Sequence, residues 1–487
     1  MNVKYLAAAC AALGATSAFA VGPAAVYDPT VAITGLQVVY IAGASAQKNA
    51  LYATVPTTIF DTAARDVLHI KNSGNNKDEA WLGDSKATYG VGGVSTPTLV
   101  IYNSKNGSAA GLNQVISSGT AETEASVMTY PLTGCGTAGA VSSPDIAKSV
   151  QTCATTVVAR EADGALSDVY APEFSAGYLV SGSALKNAGT SSTSGLEGFG
   201  IIVNSVLYDA LLAQNIADGQ LPAGCSTATA SSLVVGTGNG ACQPSIRSTD
   251  YTSFATSGGQ YYSFAAFVPG QTDRDITLCR RDHLSGTQAA SNLFFLNDVC
   301  GTKGYKGSLL GATSADAAAA SQGASNYIVV DEANSGTDKA ENCVWSGSAA
   351  GTTAYANYAL GVVSLGEKDS VDSAAPQANF TSAQYYFVKL DGISPNYTAA
   401  GVLDATHRVN LANGSYKFAT EMAAYVKSAT STTAGAGKIV KAVVDDISKA
   451  TLSSVTGIAY LTGGTYGDGK TARYSKGQAG NNCAAWQ

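Results

Sequence analysis

Charge is scarce in this chain of 487 residues: Asp, Glu, Lys and Arg together make up 13%, about half the usual share of roughly 25%. With no clusters of Lys and Arg, there is no electrostatic footprint for a nucleic acid. Histidine occurs three times and no Cys-x-x-Cys motif is present, so the ligand pattern of a zinc site is missing. No internal stretch reaches the 18 or so apolar residues needed to cross a bilayer. No Ser-His-Asp set is evident from spacing, and no repeat recurs at solenoid periods. What is abundant is small: Gly alone fills 53 positions, with Ser, Thr and Ala around it. Hydrophobic residues at 45% supply large cores and exclude a disordered chain. The length exceeds a single typical domain.

The N-terminus has the pattern of an export signal. Lys4 precedes the apolar run Tyr5 to Gly14, and Ala18-Phe19-Ala20 has the small-x-small form of a cleavage site. Residues 1–20 are therefore expected to be a signal peptide, and the chain periplasmic or extracellular. Beyond them stand eight cysteines: Cys135, Cys153, Cys225, Cys242, Cys279, Cys300, Cys343 and Cys483. In an oxidising compartment an even number predicts disulfides. Neighbour pairing suggests Cys135–Cys153 and Cys225–Cys242, and Cys483 is expected to secure the tail. The partners of Cys279, Cys300 and Cys343 stay open.

Strand-like and helix-like segments alternate, which predicts an α/β chain with largely parallel sheets. Strands are expected at Val31 to Ala42, Thr98 to Tyr102, Thr155 to Ala159, Gly198 to Asn204, Asp275 to Arg281, Tyr358 to Leu365, Tyr385 to Leu390 and Thr420 to Val426. Helices are expected from Ala46, over Ala109 to Ser117, Val206 to Ile216, Gln288 to Leu296 and Lys438 to Ala450. In the last, Ile439, Val440, Val443, Val444 and Ile447 recur at helical spacing. Ser/Gly/Thr-rich stretches at Thr120 to Ser149, Gly182 to Gly195, Gly224 to Ser248 and Ser314 to Ser325 read as surface insertions.

Three times a strand ends in a small-residue turn and a helix begins: Gly43-Ala44-Ser45-Ala46, Gly107-Ser108-Ala109-Ala110-Gly111 and Ser285-Gly286-Thr287-Gln288. Each turn offers backbone N–H groups and a hydroxyl at the positive end of a helix, an environment suited to anions. Ordinary N-capping explains any one of them equally well. Arg280 and Arg281 precede the third turn, and a guanidinium binds oxyanions bidentately. The plainer alternative pairs one of them with Asp282. His69 and His407 have no such context and read as structural.

These motifs together resemble the periplasmic phosphate-binding proteins of ABC importers. The opening turn Ile41-Ala42-Gly43-Ala44-Ser45, the helix start Gly107 to Gly111, the strand end Leu166-Ser167-Asp168 and the apolar Ile201-Ile202-Val203-Asn204 are each similar to the family's elements. So are the block Arg280 to Thr287, Val388-Lys389-Leu390-Asp391-Gly392 and Gly414-Ser415-Tyr416-Lys417-Phe418, all in the family's order. The resemblance implies the type 2 periplasmic-binding fold: two lobes of mixed, mostly parallel sheets flanked by helices and joined by two crossovers. Residues 21–205 would form the first part of lobe 1, 206–414 lobe 2, and 415–487 the return to lobe 1 and the tail. It implies phosphate or a related oxyanion in the cleft, no cofactor, no catalysis, and an ABC permease as partner.

The ligand set carried over is Ser45, the N–H of Ala46, Ser108 and Asp168 from the first lobe. Arg281, Ser285, Gly286 and Thr287 come from the second. An ionised Asp168 only accepts hydrogen bonds, so it favours an anion that still carries a proton, as phosphate does, over sulfate. The block departs from the family where His283 and Leu284 replace Asp and Gly. A protonated His283 would add positive charge and pH sensitivity, and Asp282 stands one residue out of register to substitute. Two other readings are an extracellular structural protein reusing this fold and, with less to recommend it, a secreted phosphatase-like enzyme, for which neither a nucleophile nor a metal cluster is evident.

Overall fold

The structure, a computed structural model, describes residues 24–73, 77–105, 107–116, 125–142, 144–154, 156–174, 189–257, 276–282, 284–296, 327–329, 336–347, 353–373, 384–427, 435–447 and 455–459. The expected signal peptide, Cys300, Cys483, His283 and the segment Ser314 to Ser325 lie outside these residues.

Seventeen strands are present among them. In the first part of the chain they are β1 (Gln37–Gly43), β2 (Leu68–Asn72), β3 (Asp78–Asp84), β4 (Pro97–Asn103), β5 (Ala125–Met128), β6 (Ser149–Cys153), β7 (Val157–Arg160) and β8 (Gly164–Ser167). There follow β9 (Gly189–Val203), β10 (Ser245–Ile246), β11 (Ile276–Arg280), β12 (Tyr327–Val329) and β13 (Tyr358–Ser364). The last are β14 (Tyr386–Phe387), β15 (Lys389–Leu390), β16 (Ala419–Val426) and β17 (Ile458–Ala459). The helices are α1 (Lys48–Thr58), α2 (Gly107–Ile116), α3 (Ser205–Ala217), α4 (Ser248–Ser257), α5 (Gly286–Leu296), α6 (Thr337–Ser346), α7 (Val409–Ala412) and α8 (Gly435–Ile447).

Thirteen strands join in one ladder, in the order β12-β11-β13-β9-β16-β8-β1-β4-β3-β2-β6, with β14 and β17 also on β9. The protein is thus α/β, with a large mixed sheet flanked by helices. The 15-residue strand β9 connects two wings. Its first part pairs with β16, which continues into β8, β1 and β4. Its last part pairs with β13, which leads to β11 and β12. Parallel pairing holds within each wing for β4-β1-β8 and for β12-β11-β13. The crossing strands run antiparallel to their neighbours, so the sheet is less parallel than strand-helix alternation suggested.

Side-chain alternation explains why both faces are covered. In β1, Val39 and Ile41 enter the core beneath α1 and α8, whereas Tyr40 and Ala42 face the core that includes Leu112 of α2. β4 divides likewise, with Val100 and Tyr102 on one side and Leu99 and Ile101 on the other. The expected stripe on α8 is all buried: Ile439, Val440, Val443, Val444 and Ile447 are at most 1% exposed. Asn204 caps α3, its side chain accepting from the Leu207 N–H at 3.1 Å.

Cys135–Cys153 and Cys225–Cys242 are paired as neighbour spacing suggested, and Cys279 pairs with Cys343. The last ties β11 to α6. The insertion at 224–248 is a run of short 3-10 turns around the second disulfide.

Three expectations need correction. Val31 to Leu36 precede the first strand, and Val31 is 57% exposed: Gly35, at φ +73°, turns the chain just before β1. Tyr385 to Leu390 is broken into two short pieces that serve different sheets, β14 on β9 and β15 on β10. Residues 189–195, read as part of an insertion, form the start of β9. Thr190, Ser191 and Ser192 pair there with Tyr425, Ala424 and Ala423, a strand whose small polar side chains give no hydrophobic period to read.

Candidate functional site

The three small-residue turns come together where the two wings meet. On the first wing, β1 ends at Gly43, whose φ is +128°. A Cβ there would lie 1.9 Å from the Leu166 carbonyl oxygen, so only glycine lets β1 end against β8. The chain then makes a 3-10 turn over Ser45–Gln47 into α1. Gln47 anchors that turn by donating from Nε2 to the Ser167 carbonyl at 2.7 Å. Ser45 is half-buried and Ala46 buried.

Next to it, Ser108 lies in the first turn of α2 and is fully buried. Asp168 follows β8. Its N–H donates to Ser108 Oγ at 3.4 Å, and its carbonyl accepts from Thr420 Oγ1 at 2.6 Å. On the second wing, β11 delivers Arg280, then Arg281 and Asp282. Asp282 Oδ1 accepts from the Leu284 N–H at 2.7 Å, and Ser285 Oγ accepts from the Gln288 N–H at 3.3 Å. Asp282 therefore builds the turn and Ser285 caps α5.

Across the junction, the Ala109 N–H donates to the Leu284 carbonyl at 2.9 Å. Thr287 Oγ1 donates to Asp168 Oδ2 at 3.4 Å. A Cβ on Gly286 would stand 2.3 Å from Ser108 Oγ and 2.6 Å from Asp168 Oδ2, so the Gly286 turn rests directly on both residues. Arg281 donates from Nη1 to Thr337 Oγ1 at 3.3 Å, and the same hydroxyl lies 3.5 Å from Ser45 Oγ. Ser108, Asp168, Gly286 and Thr287 thus make one contact group, and Ser45, Thr337 and Arg281 another. Ser285 is buried beside them as the cap of α5. Arg281 is 4% exposed, and its Nε has no hydrogen-bond partner among the described residues.

Burial dominates the electrostatics here. It pushes the Asp168 carboxyl up to about 6, opposed chiefly by the Arg281 guanidinium and then by hydrogen bonds from Thr287, Glu197 and Ser108. Glu197, on β9 and 1% exposed, is held well above the usual carboxylate range by burial and by the neighbouring Asp168 charge. Loss of hydration also raises Glu367, with Lys48 the largest opposing influence, followed by Lys77. At neutral pH the arrangement can therefore present an ionised Asp168, a protonated Glu197, a guanidinium and several hydroxyls.

Sequence reasoning missed Thr337 and Glu197. A signal for Thr337 exists: Ser335-Gly336-Thr337 repeats the triplet Ser285-Gly286-Thr287, and Gly336 and Thr337 open α6. Glu197 has none, since β8 and β9 are brought beside each other only by β16, which lies far along the chain from both. Among the described residues no group of His, Cys, Asp and Glu could hold a metal ion. No helix among them is long and apolar enough to cross a membrane. The three disulfides are compatible with a secreted protein. Comparison with family models, curated proteins and solved structures finds no match for this chain.

Proposed function

We propose that this chain is a secreted or periplasmic solute-binding protein that captures phosphate or a related tetrahedral oxyanion between two lobes, and passes it to an ABC permease. The wings joined by β9 and β16 are the lobes of a type 2 periplasmic-binding fold in this reading, with no catalysis involved. The observation that carries it is the junction. Three helix starts, α2, α5 and α6, and the Ser45 turn bring hydroxyls from both wings around the buried Arg281 and Asp168.

Directed N–H and hydroxyl groups with one guanidinium form a favourable site for an oxyanion. The oxyanion enters as the wings part, lifting the Gly286 turn off Ser108 and Asp168. Net charge of −7 does not oppose this, because surface charge is screened within about 10 Å at ordinary salt. The deciding experiment is calorimetry of refolded, phosphate-stripped protein against a panel of oxyanions. Phosphate should bind and shift the melting temperature. Arg281→Ala should weaken it about a hundredfold or more, the scale of removing one partner of a buried charged pair.

A second reading is favoured by the direct seating of Gly286 on Ser108 and Asp168: an extracellular structural protein whose junction is packed shut. It predicts no heat with any oxyanion, from either the wild type or the Arg281 variant.

A further inference from the structure

Glu197 is buried, and neither carboxylate oxygen has a hydrogen-bond partner with an ordinary donor among the described residues. Its backbone is fixed by β-pairing with Thr420 on one side and Ile458 on the other, so it cannot swing out to water. Thr420 in turn donates to the Asp168 carbonyl at 2.6 Å, which registers the two acidic residues against each other. An ionised carboxylate in that position would be buried without compensation, at a cost of several kcal/mol. A protonated one has an acceptor at hand in Asp168, which the Thr420 link places beside it and whose Oδ1 has no other partner among the described residues. Thr287 takes Asp168 Oδ2, while Oδ1 is unpaired unless Glu197 donates to it.

We propose that Glu197 is a positioning residue that donates a permanent proton to Asp168, and so keeps Asp168 an acceptor that selects oxyanions carrying a proton of their own. This rests on the oxyanion reading above and assigns its selectivity to a pair of residues. The proton stays on Glu197 and is shared in a hydrogen bond. Asp168 then has only lone pairs to offer, which suit hydrogen phosphate and repel sulfate. Without the Glu197 donor, Asp168 keeps Arg281, Thr287 and Ser108 but loses one of the groups that support its charge. It would then take up a proton, become a donor and admit sulfate at a higher pH than in the wild type.

The groups around the pair are Ser108 on α2, Thr287 on α5, Arg281 after β11, Tyr102 on β4 and Glu367 after β13. Arg281 alone among them is a cation. Tyr102, itself raised well above its usual value by burial, stays neutral throughout the relevant range.

The test is titration of phosphate-stripped protein with sodium phosphate and with sodium sulfate between pH 5 and pH 8. In the wild type, sulfate affinity should rise about tenfold per pH unit as pH falls from 8 toward 6, then level off as Asp168 protonates. In Glu197→Leu the same rise and plateau should be displaced to higher pH, so that sulfate binds severalfold more tightly than to the wild type at pH 8. Glu197→Gln, whose amide can still donate, should behave as wild type, which a merely structural role would not predict. A Glu197→Leu protein that binds phosphate and whose sulfate profile coincides with that of the wild type overturns the role of Glu197 and leaves the oxyanion reading standing. Wild type that binds neither anion removes that reading, and this inference with it. If Glu197→Leu does not fold, the wild-type series decides: phosphate-over-sulfate selectivity unchanged from pH 8 to 5 overturns the proposal.

Discussion

Two buried polar clusters, one in the first wing and one at the junction of the wings, are built on opposite principles. In one, Asp145, His69, Glu79 and Lys48 form an alternating chain. Asp145 meets His69 Nδ1 at 2.6 Å, His69 Nε2 lies 3.3 Å from Glu79, and Glu79 pairs with Lys48 at 2.6 Å. His69 stacks on Trp81 at 5.2 Å between ring centres. Every charge has an opposite neighbour. Glu79 is pulled down to about 2 despite its burial, with Lys48 the largest favourable influence, and His69 is raised by its two carboxylates against the effect of burial. In the other cluster two acidic residues lie together: burial pushes both up, the Asp168 charge raises Glu197 further, and the hydrogen bond from Glu197 acts on Asp168 in the opposite direction. The first alternates charge along its length. Both leave unpaired atoms among the described residues, His69 Nε2 and Glu79 Oε2 in the first and Arg281 Nε, Asp168 Oδ1 and both Glu197 oxygens in the second, so what separates them is the sign of the neighbouring charges.

The largest expected effect breaks the charge-alternating cluster. Glu79→Leu leaves His69 and Lys48 facing a hydrophobic side chain, and should cost about 3–5 kcal/mol in urea unfolding, as removal of one partner of a buried pair does. Phosphate affinity of the folded fraction should not change. A loss under about 1 kcal/mol would show that the cluster contributes little net stability.

The reverse sign is expected at the junction. Asp168→Asn removes a carboxyl that folding makes harder to ionise, and should stabilise the protein by about 1–2 kcal/mol at pH 8 while abolishing discrimination between phosphate and sulfate. Destabilisation by this substitution would place Asp168 among the structural groups.

The smallest effect is in the pH dependence. Asp168, raised from 3.8 to about 6, and Glu421, raised from 4.5 to about 7 by burial, bind protons more readily folded than unfolded. Their stabilisation is complete below the unfolded values and is lost as pH rises through about 6 to 7. Glu79 runs the other way: its contribution is present above 4.5 and lost as pH falls toward 2. Melting temperature should therefore fall by a few degrees between pH 5 and pH 8, and fall less in Asp168→Asn. A curve that rises over this interval would contradict the assignment of proton uptake to these carboxyls.

Much of this comparison was legible in the sequence where the determinants are local. The five-residue apolar stripe on α8, the close pairs Cys135–Cys153 and Cys225–Cys242, and the strand-turn-helix starts at Ser45, Ser108 and Ser285 each depend on neighbours within a turn or a short loop. Cys279–Cys343 spans 64 residues, and spacing alone offered no means of choosing it. The polar start of β9 escaped notice because its side chains carry no alternation; its pairing with β16 is specified by backbone hydrogen bonds. Glu197 was hidden for a different reason. A single acidic residue in a strand becomes informative only once the strand bringing Asp168 to it is known. Of the three histidines, His69 and His407 have the structural settings their sequence context suggested. Both are buried, and His407 Nε2 meets Asp372 at 2.9 Å.

A shared strand constrains how the two wings can travel. β9 is hydrogen-bonded in both of them, antiparallel to β16 along one stretch and to β13 along the next, and Gly198 and Gly200 lie near the passage between the two stretches, hemmed in by Leu365 and Phe387. Sliding would break ladders on both sides at once, whereas rotation about the strand axis breaks none. If the wings part as the proposed function requires, the motion left to them is a torsion about this strand, and the side chains packed against Gly198 and Gly200 leave no room there for a larger residue.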